Sequence, residues 1–448
     1  MAYSFKGGIR PDDHKYTKDA PIEKIKAPEI VSISLSQHIG VMCKPTVQVG
    51  DTVLVGQLIG DVQGGLGCPV HASVSGTVVK IEEVTTQSGG LSYNVVIKND
   101  HRNAMCENIH PFGKKLSEAK FEEILAVLKR AGIAGMGGTA FPTYAKVGAA
   151  RGKASKLIVN CCEGEPFVTV TRRMIIERLD TIIGGIKILM VALGIREAYI
   201  AIERDKKEEI KILSAAVDNN LIKLLKVSPK YPSGSEKHLV YALTKKEVPE
   251  GKTPLELGCI VFSAETCSAV FEAFSKGTPL IRRVVTVDGD CVAEPKNLEL
   301  PIGTPASYVL DQCGGLIGNP KKLIFGGPMM GHTQWDPNAP VSKSTSAILV
   351  FSDYFDRESK LEPVCIKCGR CVDACPMKLL PLNIATAVEK GRLDKTESMG
   401  AASCIECGAC TYSCPGGLQV AQLVGRAKAD IIQRRRIAAA GSAKKNDK

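Results

Sequence analysis

The first hundred residues alternate apolar and polar positions. Val47-Gln48-Val49-Gly50-Asp51-Thr52-Val53-Leu54-Val55-Gly56-Gln57-Leu58-Ile59-Gly60 and Pro69-Val70-His71-Ala72-Ser73-Val74-Ser75-Gly76-Thr77-Val78-Val79-Lys80-Ile81 repeat with a period of two, broken by glycine turns. That is the mark of short β-strands. From residue 101 the period changes. Phe121, Ile124, Leu125 and Leu128 share one helical face, with Ser117 as the expected N-cap. Lys156-Leu157-Ile158-Val159-Asn160 and Ala198-Tyr199-Ile200-Ala201-Ile202 read as strands. Between and after them run the helical stripes Ile175, Leu179, Ile182, Ile186, Leu193 and Ile210, Leu213, Val217. Alternating strands and helices predict an α/β layer on a parallel sheet. From about 255 to 350 the pattern turns β-rich again, as in Arg283-Val284-Val285-Thr286-Val287-Asp288. The last hundred residues are dense in cysteine and end in a basic tail.

Length and composition narrow the class. The 448 residues suggest about three domains. With 44% hydrophobic and 23% charged residues, the chain is neither disordered nor collagenous. The most apolar run, Ile182 to Ile195, contains Lys187 and glycines at 184 and 185, short of the roughly 20 apolar residues of a membrane span. Aromatics are 5%, with Trp335 the single tryptophan, which argues against a stacking groove for nucleic acid. The net charge is +11, with Lys428, Arg434, Arg435, Arg436, Lys444, Lys445 and Lys448 in the tail. It fits an ordinary basic surface, an acidic partner or an anionic membrane face; no motif supports a nucleic-acid role. The tail starts as a helical pattern and is expected to end in disorder. The chain holds 17 cysteines and opens Met1-Ala2-Tyr3-Ser4-Phe5-Lys6 without an apolar leader, so metal-bound thiolates in a reducing compartment are expected.

Eight of those cysteines form two copies of one run. Cys365-x-x-Cys368-x-x-Cys371-x-x-x-Cys375-Pro376 is followed by Cys404-x-x-Cys407-x-x-Cys410-x-x-x-Cys414-Pro415. Both match the C-x₂-C-x₂-C-x₃-C-P run of two-cluster ferredoxins, in which the fourth cysteine ligates the other cluster. The expected [4Fe–4S] ligand sets are therefore Cys365, Cys368, Cys371 with Cys414, and Cys404, Cys407, Cys410 with Cys375. Structural zinc sites use paired knuckles and need neither the third cysteine nor the proline. A helix fits between the runs at Asn383 to Glu389. Cys43, Cys68, Cys106, Cys161, Cys162, Cys259, Cys267, Cys291 and Cys313 show no ligand spacing and read as buried thiols.

The V-x-V-G-D-x-V…G-Q…A-x-x-S-G-x-V pattern near the start resembles the barrel-sandwich hybrid fold of biotinyl and lipoyl carriers. The hairpin Asp61-Val62-Gln63-Gly64-Gly65-Leu66-Gly67-Cys68 has no carrier lysine, so a structural module is expected. A glycine loop, Gly135-Met136-Gly137-Gly138-Thr139-Ala140-Phe141-Pro142-Thr143-Tyr144-Ala145-Lys146, precedes a helix. Such a loop can offer N–H groups to a phosphate, although it fits neither the G-x-G-x-x-G nor the P-loop spacing. It resembles the G-R-G-G-A-G-F-P-T-G-x-K loop of the flavin-binding subunit of respiratory complex I. Asn160, Glu163, Glu165 and Pro166 match that family's N-A-D-E-x-E-P segment, and Tyr231, Gly234, Glu236 and Leu239 its Y-x-x-G-x-E-x-x-L segment. Its N-x-E-T segment is met only partly, by Ser263-Ala264-Glu265-Thr266. Cys162 replaces the family's aspartate and Ser263 an asparagine. The resemblance implies an FMN domain of modified Rossmann type. Gly135, Gly137, Gly138 and Lys146 would hold the FMN phosphate, and Asn160, Glu163 and Glu165 would line the flavin ring. Phe141, Tyr231 and Glu236 would contact NADH.

The whole order, with Phe5-Lys6-Gly7-Gly8-Ile9, Leu35-Ser36-Gln37-His38-Ile39-Gly40, Gly303-Thr304-Pro305 and Gly327-Pro328-Met329-Met330-Gly331, resembles the RnfC family, the C subunits of Rnf ion-translocating electron-transport complexes. The resemblance implies a multidomain chain of α/β, β and α units. They are a hybrid domain over 1–100, an FMN/NADH domain over 101–255, an SLBB β-grasp domain over 256–350, a ferredoxin-type domain over 351–420 and a basic tail over 421–448. It further implies an oxidoreductase without a catalytic acid–base pair, carrying two [4Fe–4S] clusters, FMN and NAD(H). Such a protein sits peripherally on the cytoplasmic face of the cell membrane. It is held there by partner subunits that reach ferredoxin and couple electron flow to Na⁺ or H⁺ transport. Two alternatives share the motifs: a soluble NADH-dependent relative feeding another reductase such as proline reductase, and a non-catalytic iron–sulfur scaffold with a degenerate flavin site.

Overall fold

A computed structural model describes residues 3–85, 91–138, 140–217, 220–353 and 362–446. Thr139 of the glycine loop, residues 354–361 of the expected ferredoxin segment and the last two residues of the tail lie outside that set. The early alternating segments pair as expected. Ile30–Ser34, Leu91–Asn99, Gly76–Thr85 and Thr52–Val53 form one antiparallel sheet; Lys44–Pro45, Leu58–Asp61 and Val70–His71 form a second. Their inward residues, among them Val31, Ile33, Val53, Ile59, Val78 and Ile97, make a closed core. The hairpin that would carry a lysine in a carrier domain is tied down instead. Val41 donates its N–H to Leu66 O at 2.7 Å, and the buried Lys343 ammonium donates to Pro69 O at 2.8 Å and Gly132 O at 2.7 Å.

The central unit is a four-stranded parallel sheet in the order Ile222–Val227, Ala198–Glu203, Lys156–Asn160, Cys259–Ser263. Helices cover both faces, so the middles of the three strands Ala198–Glu203, Lys156–Asn160 and Cys259–Ser263 are continuously apolar rather than alternating, while the edge strand Ile222–Val227 carries Lys223 and Lys226. The apolar run noted in the sequence is the helix Leu179–Leu193, which packs on Ala264–Ser275. A Cβ on Gly185 would lie 1.8 Å from Cys267 O and one on Gly184 2.2 Å from the Phe271 ring, so the glycine pair lets the two helices meet. Ser117 does not cap the first helix. It sits in a 3₁₀ turn, and the helix Phe121–Arg130 starts where Glu123 Oε2 accepts the Lys120 N–H at 2.9 Å.

In three places contacts cross the expected boundaries. The strand Cys259–Ser263 pairs in register with Lys156–Asn160, so the α/β unit runs past 255 and through the helix ending at Ser275. Residues 3–24, ahead of the hybrid strands, reach the other units. Tyr3 bridges to Val227, Ile9 to Tyr231, and Ile22–Lys24 adds an edge strand beside Lys296–Pro301. That strand belongs to the six-stranded mixed β-grasp sheet with Arg282–Asp288, Ala347–Phe351, Lys322–Phe325 and His332–Gln334. The basic tail is part of one long helix, Val420–Asn446, with Val420, Val424, Ala427 and Ile431 buried against Ile384 and Val388 of the helix Pro381–Glu389. Its apolar stripe, masked in the sequence by the arginines, makes it part of the ferredoxin unit.

Helix contact at Gly185 predicts an asymmetric response to one added methyl. Gly185→Ala should lower the unfolding stability of the α/β unit by about 1–3 kcal/mol, because backbone must move. Gly148→Ala, whose Cβ would meet only the Leu125 side chain at 3.5 Å inside the helix Thr143–Ala150, should be neutral or stabilising by up to about 1 kcal/mol. Urea unfolding of both variants checks the contrast.

Candidate functional site

In the parallel sheet, Lys156–Asn160 is flanked by Ala198–Glu203 on one side and Cys259–Ser263 on the other, so a topological switch point opens at its carboxyl end. Ligands in open α/β sheets bind there. The glycine loop lies across it. Gly135 donates its N–H to Phe141 O at 2.9 Å and Ala140 to Gly135 O at 3.1 Å, closing the loop on itself. The Met136 N–H donates to Thr266 Oγ1 at 3.0 Å, and Arg283 Nη2 donates to Met136 O at 2.9 Å. A Cβ on Gly137 would come 3.3 Å from Ser263 Cβ. Gly138, at φ +101°, faces open space. The helix Thr143–Ala150 then points its N-terminus at the loop and carries Lys146. Lys146 Nζ donates to Glu236 Oε1 at 2.7 Å and Val261 O at 2.7 Å. Asn160, at the end of its strand, donates from Nδ2 to Gly234 O at 2.8 Å and accepts the Cys162 N–H at 3.0 Å. Gly135, Gly137, Gly138, Lys146, Asn160 and Glu236 therefore converge on one rim, with Phe141 at its edge. Ser263 caps the helix Ala264–Ser275 and keeps its hydroxyl beside the loop. The Cys162 thiol faces Ala201 O, 3.7 Å away. A glycine-rich loop, a helix N-terminus and a lysine fit a phosphate; two partly buried carboxyls and an amide fit the polar edge of a flavin.

Those carboxyls are Glu163 and Glu165. Glu163 Oε1 accepts the Thr171 N–H at 2.6 Å, and its own N–H donates to Glu203 Oε1 at 3.0 Å. Glu165 Oε2 accepts the Met329 N–H at 2.9 Å. Burial pushes both carboxyls up to about 7, although the Lys15 ammonium works in the opposite direction. Lys15 Nζ stitches this turn together, donating to the carbonyls of Glu163, Glu165 and Val168 at 2.9, 2.6 and 2.5 Å. An open cleft of about 770 Å³ leads to Glu163 and Cys161 past Glu203 and Lys206. Tyr231 stands apart from the loop: its ring is buried next to Gly164 and its hydroxyl donates to Cys407 O at 2.8 Å.

The two cysteine runs fold alike. Lys367 and Glu406 both have φ +55°, and Gly369 and Gly408 have φ +78° and +75°. Lys367 N–H points at Cys365 Sγ at 3.4 Å and Glu406 N–H at Cys404 Sγ at 3.3 Å. Val364 donates its N–H to Gly416 O at 3.0 Å, which brings the end of the second run beside the start of the first. Cys365, Cys368, Cys371 and Cys414 consequently line one cavity. Cys375, Cys404, Cys407 and Cys410 gather in a second nest. There burial first, then repulsion from neighbouring thiolates, raises Cys407 to about 11 and Cys410 to about 12. Four converging thiols per nest suit a cubane, and loading would release their protons. All nine remaining cysteines are free thiols, and all but Cys106 and Cys162 are buried. Among the described residues no three His, Cys, Asp or Glu side chains are set to hold a single metal ion.

Three residues of the site have no motif, and a fourth, Met329, lies in the Gly327–Gly331 segment without a role marked on it. Lys15 lies in a polar arm without periodicity. Glu203 ends a strand at the ligand edge of the sheet, a position that could have flagged it. Arg283 is a fully buried cation in a valine-rich strand, itself a signal, and its Nη1 has no partner among the described residues. Met329 acts through its backbone, which a sequence does not mark.

A phosphate-binding loop at a switch point, joined to two four-thiol nests, defines an iron–sulfur flavoprotein of electron transport. Comparison with known proteins agrees. Residues 3–102 match the RnfC barrel sandwich hybrid domain, 128–272 the Nuo51 FMN-binding domain, 284–333 the SLBB domain and 364–418 the 4Fe-4S dicluster domain. The C subunit of the Na(+)-translocating ferredoxin:NAD(+) oxidoreductase complex of Acetobacterium woodii is 39% identical, covering 97% of this chain and 98% of its own. The proton-translocating counterpart from Clostridium ljungdahlii is 38% identical over 87% of this chain and 85% of its own. The C subunit of the ion-translocating oxidoreductase complex of Rhodobacter capsulatus is 36% identical over 89% and 78%. An NAD+-reducing [NiFe]-hydrogenase in the H2-reduced state shares the fold at TM-score 0.50 and 18% identity, over 70% of this chain and 61% of that one. The chain belongs to the RnfC family, the C subunits of ion-translocating oxidoreductase complexes.

The raised Glu165 carboxyl makes stability pH-dependent with a definite sign. Its proton is held in the fold and lost from the unfolded chain above about 4.5, so its contribution is complete in acid and fades as pH rises through about 7. Glu165→Gln should therefore gain urea resistance relative to the parent between about pH 5 and about pH 8. A constant or falling difference would contradict the burial argument.

Proposed function

We propose that this chain is the NAD(H)-reacting, peripheral subunit of a membrane-bound ferredoxin:NAD⁺ oxidoreductase, passing electrons between NAD(H) and partner subunits that reach ferredoxin. Gly135, Gly137, Gly138 and Lys146 hold the FMN phosphate. Asn160, Glu163 and Glu165 face the flavin ring, and Phe141 and Glu236 face the nicotinamide nucleotide; the expected contact from Tyr231 is dropped, because its ring is buried and its hydroxyl is turned to Cys407 O. Bound FMN would supply exchange between a two-electron hydride and single electrons. Cys375, Cys404, Cys407 and Cys410 ligate the inner cluster, and Cys365, Cys368, Cys371 and Cys414 the outer. The observation that carries this reading is the 2.8 Å hydrogen bond from Tyr231, next to Glu165 and the flavin edge, to Cys407 O inside the inner nest. It supports an inner nest set against the flavin side, while Cys365 and Cys368 of the outer nest are exposed for a partner. No helix of the described residues is long and apolar enough to cross a membrane; on this reading partner subunits hold the chain at the membrane, on its cytoplasmic face.

The test is anaerobic purification with iron, sulfide and flavin quantified, then NADH addition while flavin absorbance and cluster EPR are followed. NADH should bleach the flavin and bring up cluster signals. Iron-loaded protein that neither binds FMN nor responds to NADH would leave only a scaffold. Lys146→Ala should lose most of its FMN, with affinity down at least about tenfold for one lost charge-assisted phosphate contact, and keep its iron.

A further inference from the structure

The junction between the flavin side and the inner nest is built by more than one domain. Met329 belongs to the turn 326–331 between the β-grasp strands Lys322–Phe325 and His332–Gln334. Its N–H donates to Glu165 Oε2 at 2.9 Å. Its carbonyl lies against Gly408, where a Cβ would come within 2.7 Å of it. Gly327 in the same turn leaves no room beside Glu165: a Cβ there would sit 2.2 Å from Oε2. The turn is closed by Gly331 N–H donating to Gly327 O at 2.7 Å. From the other side, the N-terminal arm meets the fourth ligand of the nest. Gly8 donates its N–H to Ala374 O at 2.8 Å, and a Cβ on Gly7 would lie 2.3 Å from Cys375 O. Ile9 and Tyr231 exchange two backbone hydrogen bonds of 2.9 Å. Tyr231 thus sits at the centre, with Ala374, Cys407 and Ala409 packed around it.

We propose that Tyr231 and the β-grasp turn 326–331 are positioning elements, which seat the inner cysteine loop on the flavin side and tie its electronic environment to Glu165. The proposal rests on the electron-transfer reading above and gives the β-grasp domain a task within it. The Tyr231 hydroxyl donates to the carbonyl of a ligand cysteine, where it withdraws electron density from the peptide next to the cluster. Hydrogen bonding and solvent exclusion around a cluster set its potential. Glu165 touches the same loop through Met329, so a change at Glu165 has a short, packed path to Cys407 and Gly408. In the outer nest Cys365 and Cys368 are exposed instead.

The experiment uses the full chain, loaded anaerobically with iron and sulfide, in a redox titration with dithionite followed by EPR. The inner signal is the one that Cys404→Ala abolishes. Tyr231→Phe, which keeps the ring, should retain about eight irons per chain. It should lower the midpoint potential of the inner cluster and leave the outer unchanged. Gly408→Ala, which must push the loop off Met329 O, should alter the inner signal alone. Should that variant fail to load, Tyr231→Phe decides by itself. Unchanged potentials for both clusters in Tyr231→Phe, or an equal shift of both, would overturn the proposal. Failure of the underlying reading would show separately, as parent protein whose clusters dithionite reduces and NADH does not.

Discussion

Electron transfer between a flavin and a cluster demands a short, constant gap, and here the two sides of that gap belong to different folding units. The structure meets this constraint with a small buried contact in which Tyr231 of the α/β unit, Ala374, Cys407 and Ala409 of the ferredoxin unit, Ile9 of the N-terminal arm and Met329 of the β-grasp turn pack together. The glycines at 7 and 408 allow backbone-to-backbone approach that any side chain would block, and Gly327 leaves room for the Glu165 side chain. The chain order, hybrid, flavin, β-grasp and ferredoxin, then becomes intelligible. The arm that precedes the hybrid core and the hairpin that precedes the cysteines both return to the one place where the redox groups must meet.

The basic charge is less available than its total suggests. Lys428 pairs with Glu406 at 2.6 Å, Arg434 with Asp430 at 2.8 Å and Arg435 with Glu397 at 2.7 Å. The bridges to Glu406 and Glu397 hold the long terminal helix on the ferredoxin unit, whereas Arg434–Asp430 lies within that helix; being partly exposed, each adds little stability on its own. The surface around Cys365 and Cys368, with Val364 and Ile366 about 60% exposed beside them, is the more specific contact face of this unit.

Much of this was legible in the residues. The repeated cysteine spacing led directly to the two nests, because loop geometry there is local: the same positive φ recurs at Lys367 and Glu406 and at Gly369 and Gly408. The glycine loop and the segment 160–165 were legible for the same reason. What escaped was long-range. Cys259–Ser263 reads as one more strand, and only its pairing with Lys156–Asn160 assigns it to the flavin unit. The N-terminal arm has no period because it serves three other units. Tyr231 fits a nucleotide motif in sequence, while its hydroxyl reaches a cluster loop 176 residues away. Met329 contributes a backbone N–H, which any residue but proline could supply.

The nest of Cys375, Cys404, Cys407 and Cys410 is proposed to stand between the flavin and the nest of Cys365, Cys368, Cys371 and Cys414. Freeze-quench EPR after mixing the FMN-loaded, iron-loaded protein with NADH tests that order most directly. The signal abolished by Cys404→Ala should rise first and the other follow. The reverse order, or an outer signal that still appears at full rate when the inner cluster is missing, would contradict it.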